Sequence, residues 1–455
     1  MQSSSRQPRR RRFAIGLQHP AQVVVLAFAV AVAVVTVALS ASVATRAGVA
    51  APFRTALFTA VSSVCVTGLT VEDTASYWSP FGQGVILVGF QVGGFGIMTL
   101  ASLLGLLVSR RLGLRTRLLA QAETRSLDLG EVRRVVRGVA LVSGSVEAAL
   151  TLVLFLRLWL GHGESPGRAG YLGLFHAVSA FNNAGFVLWS DNFLRFATDP
   201  WFLLPVVAGV LLGGLGFPVL FELRRELRRP RDWSLHTKVT LLTTGLFVVG
   251  GWLAITLFEW GNAATLGRLH GPGRVLAGFF QGVVPRTAGF NTIDIAAMKQ
   301  PSVLVTDVLM FVGGGTASTA GGIKVTTFMI LLFAIMAEAR GDDTVDAFGR
   351  RIPGAVLRQA LTVALLSVAV VAAGTLALLA ISGLDLSRVL FEAVSAFSTV
   401  GLTTGITATL PPAAHYVLIV LMYAGRVGPA TLAAALALRG RHRLYRFPEE
   451  RPVVG

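Results

Sequence analysis

The sequence has little charge and almost no cysteine. Only 14% of its 455 residues are Asp, Glu, Lys or Arg, whereas soluble domains usually carry about 25% charged residues. That shortage excludes an ordinary water-soluble globule, because 53% of the residues are hydrophobic and too few polar residues remain to cover them. The single cysteine, Cys65, excludes intrachain disulfides and cysteine metal clusters, and we expect it to pack as a small apolar residue.

Long apolar runs take the place of the missing charge. Segments 21–44, 239–258 and 360–381 each reach the length of about 20 residues that a helix needs to cross a bilayer. The first run follows an arginine cluster and is too long for a cleaved signal peptide, so we expect it to be retained as a membrane span. The sequence therefore predicts a multi-pass membrane protein without a separate soluble domain.

The basic residues lie in clusters. Twenty-eight of the 40 Lys and Arg residues fall in segments 6–12, 110–137, 224–238, 340–358 and 439–451. Because cationic loops stay on the cytoplasmic side of a membrane, this pattern places the five segments and both termini in the cytoplasm. A net charge of +17 is also typical of a surface patch for anionic lipid or nucleic acid, but the distribution favours topology signals and predicts no nucleic-acid partner.

A short unit recurs four times. Segments 58–68, 175–185, 279–289 and 391–401 align without gaps, and each has Phe ten residues before Gly. A second, glycine-containing landmark follows each unit, at 93–96, 213–216, 313–316 and 425–428. Two landmarks that recur in the same order indicate tandem repeats.

Each repeat is predicted to run helix, pore helix, glycine turn, helix. The first helices are expected at about 20–45, 138–160, 238–260 and 358–382, and the second helices at about 80–108, 200–222, 301–338 and 412–438. The pore helices, about ten to fifteen residues each, are too short to span a bilayer and should re-enter it. The expected fold is an all-α membrane protein with eight transmembrane helices and four re-entrant pore loops around one central pore.

The repeats divide the chain into six parts. They are a basic cytoplasmic N-terminus (1–19), pore repeat 1 (20–110), a cytoplasmic linker with pore repeat 2 (111–236), pore repeat 3 (237–340), a linker with pore repeat 4 (341–438) and a cytoplasmic tail (439–455). Repeat 3 contains segment 313–322, in which five of the ten residues are glycine. Each glycine costs a helix about 1 kcal/mol relative to alanine, so this segment should unwind and line a cavity. The alternative is a helix-packing surface of small residues.

Four glycine turns around one axis can present backbone carbonyls to a cation. A ring of carbonyls replaces the water shell of K+ without placing fixed charge in the pore, and glycine permits the positive φ that this requires. The C-terminal ends of the pore helices add partial negative charge. Asp73, Asp191 and Asp294 follow the first three glycines by five or six residues and are expected to attract cations to an outer vestibule, unless they are ordinary solvated loop acids. Each glycine taken alone is equally typical of a simple turn.

The four selectivity-filter segments of the Trk/Ktr/HKT superfamily of potassium transporters resemble four stretches of this chain. These are Val66-Thr-Gly-Leu-Thr70, Phe181-Asn-Asn-Ala-Gly-Phe186, Arg286-Thr-Ala-Gly-Phe-Asn-Thr292 and Phe397-Ser-Thr-Val-Gly-Leu-Thr-Thr404. The Ktr-type membrane subunit is the most similar, because Trk membrane subunits carry extra N-terminal spans. The resemblance implies ion binding at Val66, Thr67, Gly68, Asn183, Ala184, Gly185, Thr287, Ala288, Gly289, Thr399, Val400 and Gly401. Relatives that prefer sodium often have serine at the position of Gly68, so K+ is the implied ion.

The resemblance also implies a gate. It would consist of the intramembrane loop Gly313, Gly314, Gly315, Thr316, Ala317, Ser318, Thr319, Ala320, Gly321 and Gly322 together with Arg426. Arg426 lies amid apolar residues, where a charge is costly and usually faces a cavity or a partner. We expect it to raise the electrostatic barrier and to hydrogen-bond the loop; the alternative is a purely structural tie.

Partners and location are implied in the same way. The resemblance implies a homodimer in the plasma membrane and a cytoplasmic ring of nucleotide-binding regulatory subunits, and the basic loops are expected to contact that ring or membrane lipid. No organic cofactor is expected in this chain. The sequence leaves open whether transport is channel-like or is activated by, or coupled to, Na+ or H+.

Four polar residues within apolar stretches are expected to have structural roles. Lys324 should extend to the cytoplasmic interface, although contact with the gate or a partner stays open. His176 is expected to pack rather than to bind a metal, and Glu147 and Glu392 to be hydrogen-bonded interior acids.

Three other functions fit less well. A membrane enzyme would need convergent acids, histidines or a nucleophile with a base, and the seven histidines are scattered. A transporter built from inverted repeats needs an odd number of spans in each repeat, whereas each unit here is predicted to have two. A sodium channel of the same superfamily is disfavoured by Gly68.

Overall fold

The structure is a computed structural model that describes residues 20–112 and 129–438. Within these ranges the chain forms fourteen α-helices and one short hairpin. The helices are α1 (Pro20–Ser40), α2 (Phe53–Val64), α3 (Pro80–Leu112), α4 (Leu129–Leu156), α5 (Pro166–Asn182), α6 (Pro200–Leu215), α7 (Phe217–Glu226), α8 (Leu235–Glu259), α9 (Gly271–Val283), α10 (Gln300–Phe311), α11 (Val325–Arg340), α12 (Gly354–Ser382), α13 (Leu386–Phe397) and α14 (Pro412–Leu438). Between α11 and α12, strands β1 (Asp346–Ala347) and β2 (Arg350–Arg351) pair antiparallel.

The helices group into four repeats, as predicted. Each repeat has an outer helix, a short pore helix and an inner helix: α1–α3 in repeat 1, α4–α7 in repeat 2, α8–α11 in repeat 3 and α12–α14 in repeat 4. The pore helices α2, α5, α9 and α13 have only 12–17 residues. Proline lies in the first turn of α5 and of α9. Proline is tolerated there, because a backbone N–H in the first turn would have no carbonyl partner within the helix. The predicted all-α class and repeat order are confirmed.

The four repeats close into a ring. Repeat 1 packs on repeat 2 through α3 and α5, and repeat 2 packs on repeat 3 through α6 and α9. Repeat 3 contacts repeat 4 through α10 and α13, and α14 of repeat 4 returns to α1 and α2 of repeat 1. This cyclic packing surrounds a single central axis, so the four pore helices point their C-terminal ends into one region.

The pore helices and the outer helices differ in how far they are buried. Most of α2, α5 and α13 is buried, whereas the outer helices expose large apolar side chains such as Val37 (73%), Leu257 (74%) and Leu376 (67%). Exposed apolar stretches of this length are expected to face lipid rather than water. The ring therefore has an apolar outer surface and a buried centre that is lined by the pore-helix ends.

Among the described residues, five single helices are long and apolar enough to cross a bilayer: α1, α3, α4, α8 and α12. The bent pair α6–α7 brings the number to six when it is counted as one span. The two remaining inner elements are α10–α11, which a non-helical segment interrupts, and the 27-residue α14. The chain is a multi-pass membrane protein.

The inner helix of repeat 2 differs from the prediction. The sequence predicts one helix over 200–222, and this is wrong, because α6 and α7 meet at an angle of 102°. Gly216 lies between them with φ 92° and ψ 145°, close to a region that essentially only glycine occupies. Pro218 then lies in the first turn of α7, where proline favours a new helix start.

The predicted basic clusters can be located only in part. Segments 6–12, 439–451 and most of 110–137 lie outside the described residues, as do both chain termini. Segment 224–238 connects α7 to α8, and segment 340–358 contains the β1–β2 hairpin between α11 and α12. Both described clusters thus lie between repeats, where a two-span unit returns the chain to the side from which it started.

Candidate functional site

Each pore helix ends in a turn that leads into a short non-helical segment. In three repeats the residue before the glycine donates its N–H back to a pore-helix carbonyl: Thr67 to Ser62 at 2.7 Å, Ala184 to Ser179 at 2.8 Å and Val400 to Ser395 at 2.8 Å. In repeat 3, Ala288 donates to Val284 at 2.9 Å. These bonds fix the start of each strand to the helix that precedes it. We call the three residues that end in each glycine the filter strands: 66–68, 183–185, 287–289 and 399–401.

All four filter strands share an unusual backbone conformation. The first and third residue of each strand has positive φ: Val66 57° and Gly68 93°, Asn183 58° and Gly185 71°, Thr287 76° and Gly289 69°, Thr399 50° and Gly401 92°. Positive φ is uncommon outside glycine, so its recurrence at four equivalent non-glycine positions marks a shared constraint. A chain that alternates between left- and right-handed residues turns successive carbonyls toward the same side, as a carbonyl-lined filter requires.

The four filter glycines meet around the central axis. A Cβ added to Gly68 would lie 2.9 Å from Gly185 Cα, and one added to Gly185 would lie 3.0 Å from Gly289 Cα. A Cβ on Gly289 would lie 3.3 Å from Gly401 Cα, and one on Gly401 would lie 3.1 Å from Gly68 Cα. The glycines therefore form a closed ring in repeat order, with no room for a side chain at any of the four positions.

Side-chain oxygens accompany the carbonyls. The Oγ1 atoms of Thr67, Thr287 and Thr399 are buried and have no hydrogen-bond partner within the described residues. Thr287 and Thr399 lie two residues before their filter glycines, and repeat 2 has Asn183 at this position. The side-chain amide of Asn183 lies 3.0 Å from the Thr319 hydroxyl. Unpaired buried oxygens are costly, and a bound cation is a chemically suitable partner for them.

Serines behind the strands were not singled out by sequence reasoning. The Ser62 hydroxyl accepts from the Gly68 N–H at 3.1 Å, and the Ser395 hydroxyl accepts from the Gly401 N–H at 3.1 Å. The aligned units could have indicated these serines, since serine lies six residues before the filter glycine in repeats 1, 2 and 4. Repeat 3 has Val283 there.

The second glycine landmark has a packing role. A Cβ at Gly93, Gly213 or Gly425 would overlap the carbonyl oxygen of the pore-helix end in the same repeat. The overlapped carbonyls belong to Val64, Phe181 and Phe397, each four residues before its filter glycine. The landmark glycines thus let the inner helices approach the pore-helix ends closely, which explains why the spacing recurs.

Segment 313–322 is not helical and connects α10 to α11. It packs on the bend between α6 and α7. Three backbone hydrogen bonds join the two breaks: Gly315 N–H to Gly214 O at 2.8 Å, Thr319 N–H to Gly213 O at 3.2 Å and Phe217 N–H to Ala317 O at 3.1 Å. The interrupted helices of repeats 2 and 3 thereby satisfy each other's backbone groups, as a lipid environment demands.

The same loop lies against the filter strands. The Thr319 hydroxyl donates to Phe181 O at 3.3 Å, and a Cβ on Gly321 would lie 2.6 Å from Ser398 O. Arg426, 3% exposed, donates from Nη1 to Thr319 O. The arginine and the loop are therefore in direct contact, as the sequence predicts.

Two charged groups converge on this loop. The Nε and Nη2 atoms of Arg426 are buried and have no hydrogen-bond partner within the described residues. Lys324 does not extend to the cytoplasmic interface; that prediction is wrong, since its Nζ donates to the Ala320 carbonyl at 2.5 Å. The cause is local, because the loop leaves carbonyls without helical partners and an ammonium group satisfies one of them.

Cys65 is fully buried at the end of α2, consistent with the expected packing role.

The acids after the filter strands have local partners. Asp73 accepts from Ser190 at 2.5 Å and Ser76 at 2.7 Å. Burial raises the pKa of Asp73, but these hydrogen bonds outweigh that effect and hold the pKa below its ordinary value. Asp191 pairs with Arg195 at 2.7 Å, while Asp294 accepts from the Ala296 N–H at 3.0 Å. Their vestibule role stays a prediction.

The interior acids and the histidine are hydrogen-bonded. Glu147 accepts from Gln91 at 3.1 Å and from Asn182 at 3.3 Å, and so links α3, α4 and α5. His176 and Glu392 likewise have polar partners. Among residues 20–112 and 129–438 there is no group of three or more His, Cys, Asp or Glu residues that could hold a metal ion.

The chain matches known transport proteins over most of its length. The matching family model is TrkH, described as a cation transport protein, over residues 12–440. The chain is 40% identical over 400 residues to Ktr system potassium uptake protein B of Bacillus subtilis, covering 88% of this chain and 89% of that protein. It is 34% identical over 450 residues to the potassium/sodium uptake protein NtpJ of Enterococcus hirae, covering 96% and 97%. The crystal structure of the potassium transporter TrkH from Vibrio parahaemolyticus matches with a TM-score of 0.72 at 19% identity, over 93% of this chain and 86% of that one, and supports the fold.

Proposed function

This chain belongs to the TrkH family of cation transport proteins, and from that premise we propose that it takes up potassium ions through the ring of its four filter glycines. The observation that carries the proposal is the closed ring itself, in which each glycine would place a Cβ within 3.3 Å of the next glycine's Cα. The family consists of transport proteins, so the enzyme alternative is set aside. The names of two relatives, Ktr system potassium uptake protein B and the potassium/sodium uptake protein NtpJ, support potassium as the ion.

The ion is selected by backbone oxygens. The filter strands 66–68, 183–185, 287–289 and 399–401 supply the carbonyls, and the unpaired hydroxyls of Thr67, Thr287 and Thr399 add further oxygens. Carbonyls replace the hydration shell of K+ without binding it so tightly that it cannot leave. The partial negative charge at the C-terminal ends of the pore helices favours cations over anions.

The gate consists of loop 313–322 and Arg426. Support comes from the contact between Arg426 and the Thr319 carbonyl and from the position of Gly321 against Ser398. These two contacts support a gate that combines a positive charge with a non-helical backbone segment next to the filter strands. A cation that passes the filter then meets an electrostatic barrier, because a buried charge acts through a low dielectric.

Regulation and assembly are part of the proposal, and one relative's name supports the existence of a partner. The word "system" in the name of the Bacillus subtilis relative supports a membrane subunit that works with a separate component. We assign that role to a cytoplasmic ring of nucleotide-binding subunits, and place the chain as a homodimer in the plasma membrane with both termini in the cytoplasm. The connections 224–238 and 340–358 are the described candidates for docking that ring or lipid headgroups. Sodium is retained as an activating or coupling ion because one relative is named a potassium/sodium uptake protein.

Growth rescue and ion flux test the proposal. A potassium-uptake-deficient bacterium that expresses the chain with its regulatory partner should grow at low potassium, and purified protein in liposomes should take up radioactive rubidium. Gly289→Ala should abolish uptake, because its Cβ would lie 2.6 Å from the Val400 carbonyl. Gly144→Ala is the matched control, since nothing lies within 4 Å of its Cβ position in α4. Well-expressed wild-type protein that fails both assays, with and without sodium, would contradict potassium uptake.

A further inference from the structure

One position in each pore helix is equivalent in all four repeats, and in two of them its side chain bonds the chain beyond the filter. Thr59, His176, Phe280 and Glu392 are equivalent in the four repeats, each nine residues before its filter glycine. All four side chains are fully or almost fully buried. Three of the four residues carry polar groups, which must find partners when they are buried, so their hydrogen bonds indicate what this position does.

In repeat 4 the position carries a carboxyl group that holds the segment after the filter. Glu392, 0% exposed, accepts from the Thr404 N–H at 3.1 Å, and Thr404 lies three residues after Gly401. It also accepts from the hydroxyls of Thr403 and, at 2.8 Å, Thr407. One pore-helix side chain therefore fixes both the backbone and the side chains of the strand that leaves the ring.

Repeat 2 makes the same connection with an imidazole. The His176 Nε2 atom accepts from the Leu188 N–H at 3.1 Å, and Leu188 lies three residues after Gly185. The Nδ1 atom lies 2.7 Å from the Leu172 carbonyl and so carries the proton, which leaves Nε2 as the acceptor. The ring stacks on Trp189 with centroids 4.1 Å apart, so its orientation is fixed.

The connection weakens in the other two repeats. Repeat 3 has the apolar Phe280, and the adjacent Gln281 reaches the Thr292 N–H only at 3.5 Å. Thr292 again lies three residues after its filter glycine. In repeat 1 the Thr59 hydroxyl has no hydrogen-bond partner within the described residues. The same amide, three residues beyond the glycine, is therefore held strongly in repeat 4, firmly in repeat 2 and weakly in repeat 3.

We propose that Glu392 and His176 are positioning residues that hold the outer ends of two filter strands and thereby set the preference of the ring for potassium over sodium. The proposal rests on the function proposed above. A carbonyl ring discriminates by its size and by the number and field of its oxygens, and a smaller ion requires the carbonyls to move inward. Strands that are fastened on both sides resist that movement, because the bond from the Val400 N–H to the Ser395 carbonyl ties the strand to the pore helix and Glu392 holds the backbone three residues beyond Gly401.

The fastening in repeat 4 extends into the next repeat. The Thr407 carbonyl lies 2.8 Å from His415 Nε2 on α14, and the His415 ring packs edge-on against Phe58 of α2 at 5.5 Å. Glu392 is thus bonded to a segment that itself contacts repeat 1. This continuity matters because Thr59 supplies no bond of its own in that repeat.

Ion competition in liposomes tests the proposal. Rubidium uptake by the purified full-length chain is measured against increasing KCl or NaCl, and the ratio of the two inhibitory concentrations gives the discrimination. Glu392→Ala should lower this ratio about tenfold, equivalent to ~1.4 kcal/mol. Glu392→Gln, which retains one acceptor oxygen, should lower it less. His176→Phe keeps the ring against Trp189 and removes the acceptor, and we expect about a threefold loss. Thr59→Val is the matched control and should leave the ratio unchanged.

The outcomes separate a positioning role from a structural one. If the Glu392 and His176 variants lose thermal stability or uptake rate but keep the wild-type ratio, the proposal is overturned and these residues only support folding. If Glu392→Ala does not fold, Glu392→Gln and His176→Phe decide in the same way. Wild-type protein that transports neither rubidium nor potassium would overturn the proposed function and this inference with it, whereas a transporting wild type with unaltered variant ratios overturns the inference alone.

Discussion

Replacing Gly216 by alanine should loosen the contact between the broken helix of repeat 2 and the gating loop. Gly216 has φ 92° and ψ 145°, and a Cβ there would overlap the Thr316 carbonyl oxygen. Residues close to Gly216 bond the loop, since Phe217 donates to Ala317 at 3.1 Å and Gly214 accepts from Gly315 at 2.8 Å. The substitution therefore acts on the backbone of the bend and on the loop that packs against it.

The two effects have separate magnitudes. An alanine in this region of φ/ψ space costs about 1–3 kcal/mol whatever the loop does, and this part should lower thermal stability. The overlap with Thr316 exists only while the loop packs on the bend, and overpacking of this kind costs about 1–3 kcal/mol. A cost confined to the closed arrangement raises the open-to-closed ratio by about 5–150-fold. Gly216→Ala should therefore be less stable and yet take up more rubidium per folded molecule.

The assay is initial rubidium uptake in liposomes, normalised to folded protein, together with a thermal unfolding curve. Gly250→Ala is the matched control, because this glycine lies in α8 with nothing within 4 Å of its Cβ position, where alanine should stabilise a helix by about 0.5–1 kcal/mol. The reasoning fails if Gly216→Ala unfolds at a lower temperature while its uptake stays equal to that of wild type and the control. That result would mean that the contact between the bend and the loop does not control ion uptake.

Three further predictions concern charged residues. Arg426→Ala should raise rubidium uptake per folded molecule several-fold by removing the electrostatic barrier, and unchanged or lower uptake would count against that barrier. Lys324→Met should raise uptake less than Arg426→Ala, because the lysine lies just beyond the C-terminal end of the loop and bonds the Ala320 carbonyl; a larger effect would make the lysine the main barrier. Asp199 caps α6 and pairs with Arg157 at 2.9 Å and His162 at 2.8 Å. Burial raises the pKa of Asp199, but the hydrogen bonds from Arg157 and His162 outweigh it and hold the pKa below 3.8. A depressed pKa stabilises the folded state above the ordinary pKa and ceases to do so as the pH falls through the folded-state value. The stability advantage of wild type over Asp199→Asn should thus stay level from about pH 7 to pH 5 and shrink only below about pH 4, as thermal unfolding at several pH values will show.

The repeat architecture could be predicted because the same residue spacing recurs along the chain. A Phe ten residues before a Gly, four times over, predicts equivalent turns, and the structure brings these glycines into one ring. Five glycines within 313–322 likewise predict an interruption, and α10 ends at Phe311. The bend at Gly216 was missed although its signals were present, since a Gly followed by Pro218 is typical of one helix ending and another starting.

Contacts between distant repeats could not be predicted in the same way. Nothing near Lys324 in the sequence indicates that its ammonium group bonds the Ala320 carbonyl, because that depends on how the loop folds. The hydrogen-bond partners of Glu392 could not be predicted from the sequence either. A buried acid in a pore helix indicates that partners exist, but which amide it holds depends on how the chain turns after Gly401.

The proposed filter and the proposed gate differ in the symmetry that they require. A ring that coordinates one ion needs four similar contributions, and all four repeats supply the same backbone conformation. The proposed gate takes a different part from each of three repeats: the bend of repeat 2, the loop of repeat 3 and Arg426 of repeat 4. Gly94, Gly214 and Gly314 occupy the position equivalent to Arg426, so only one of four sites carries the charge. In an assembly of identical subunits an arginine here would occur four times, and like charges at close range in a low dielectric repel strongly. A single chain with four repeats avoids this repulsion, because each repeat can keep the shared filter backbone while only one places a cation beneath it.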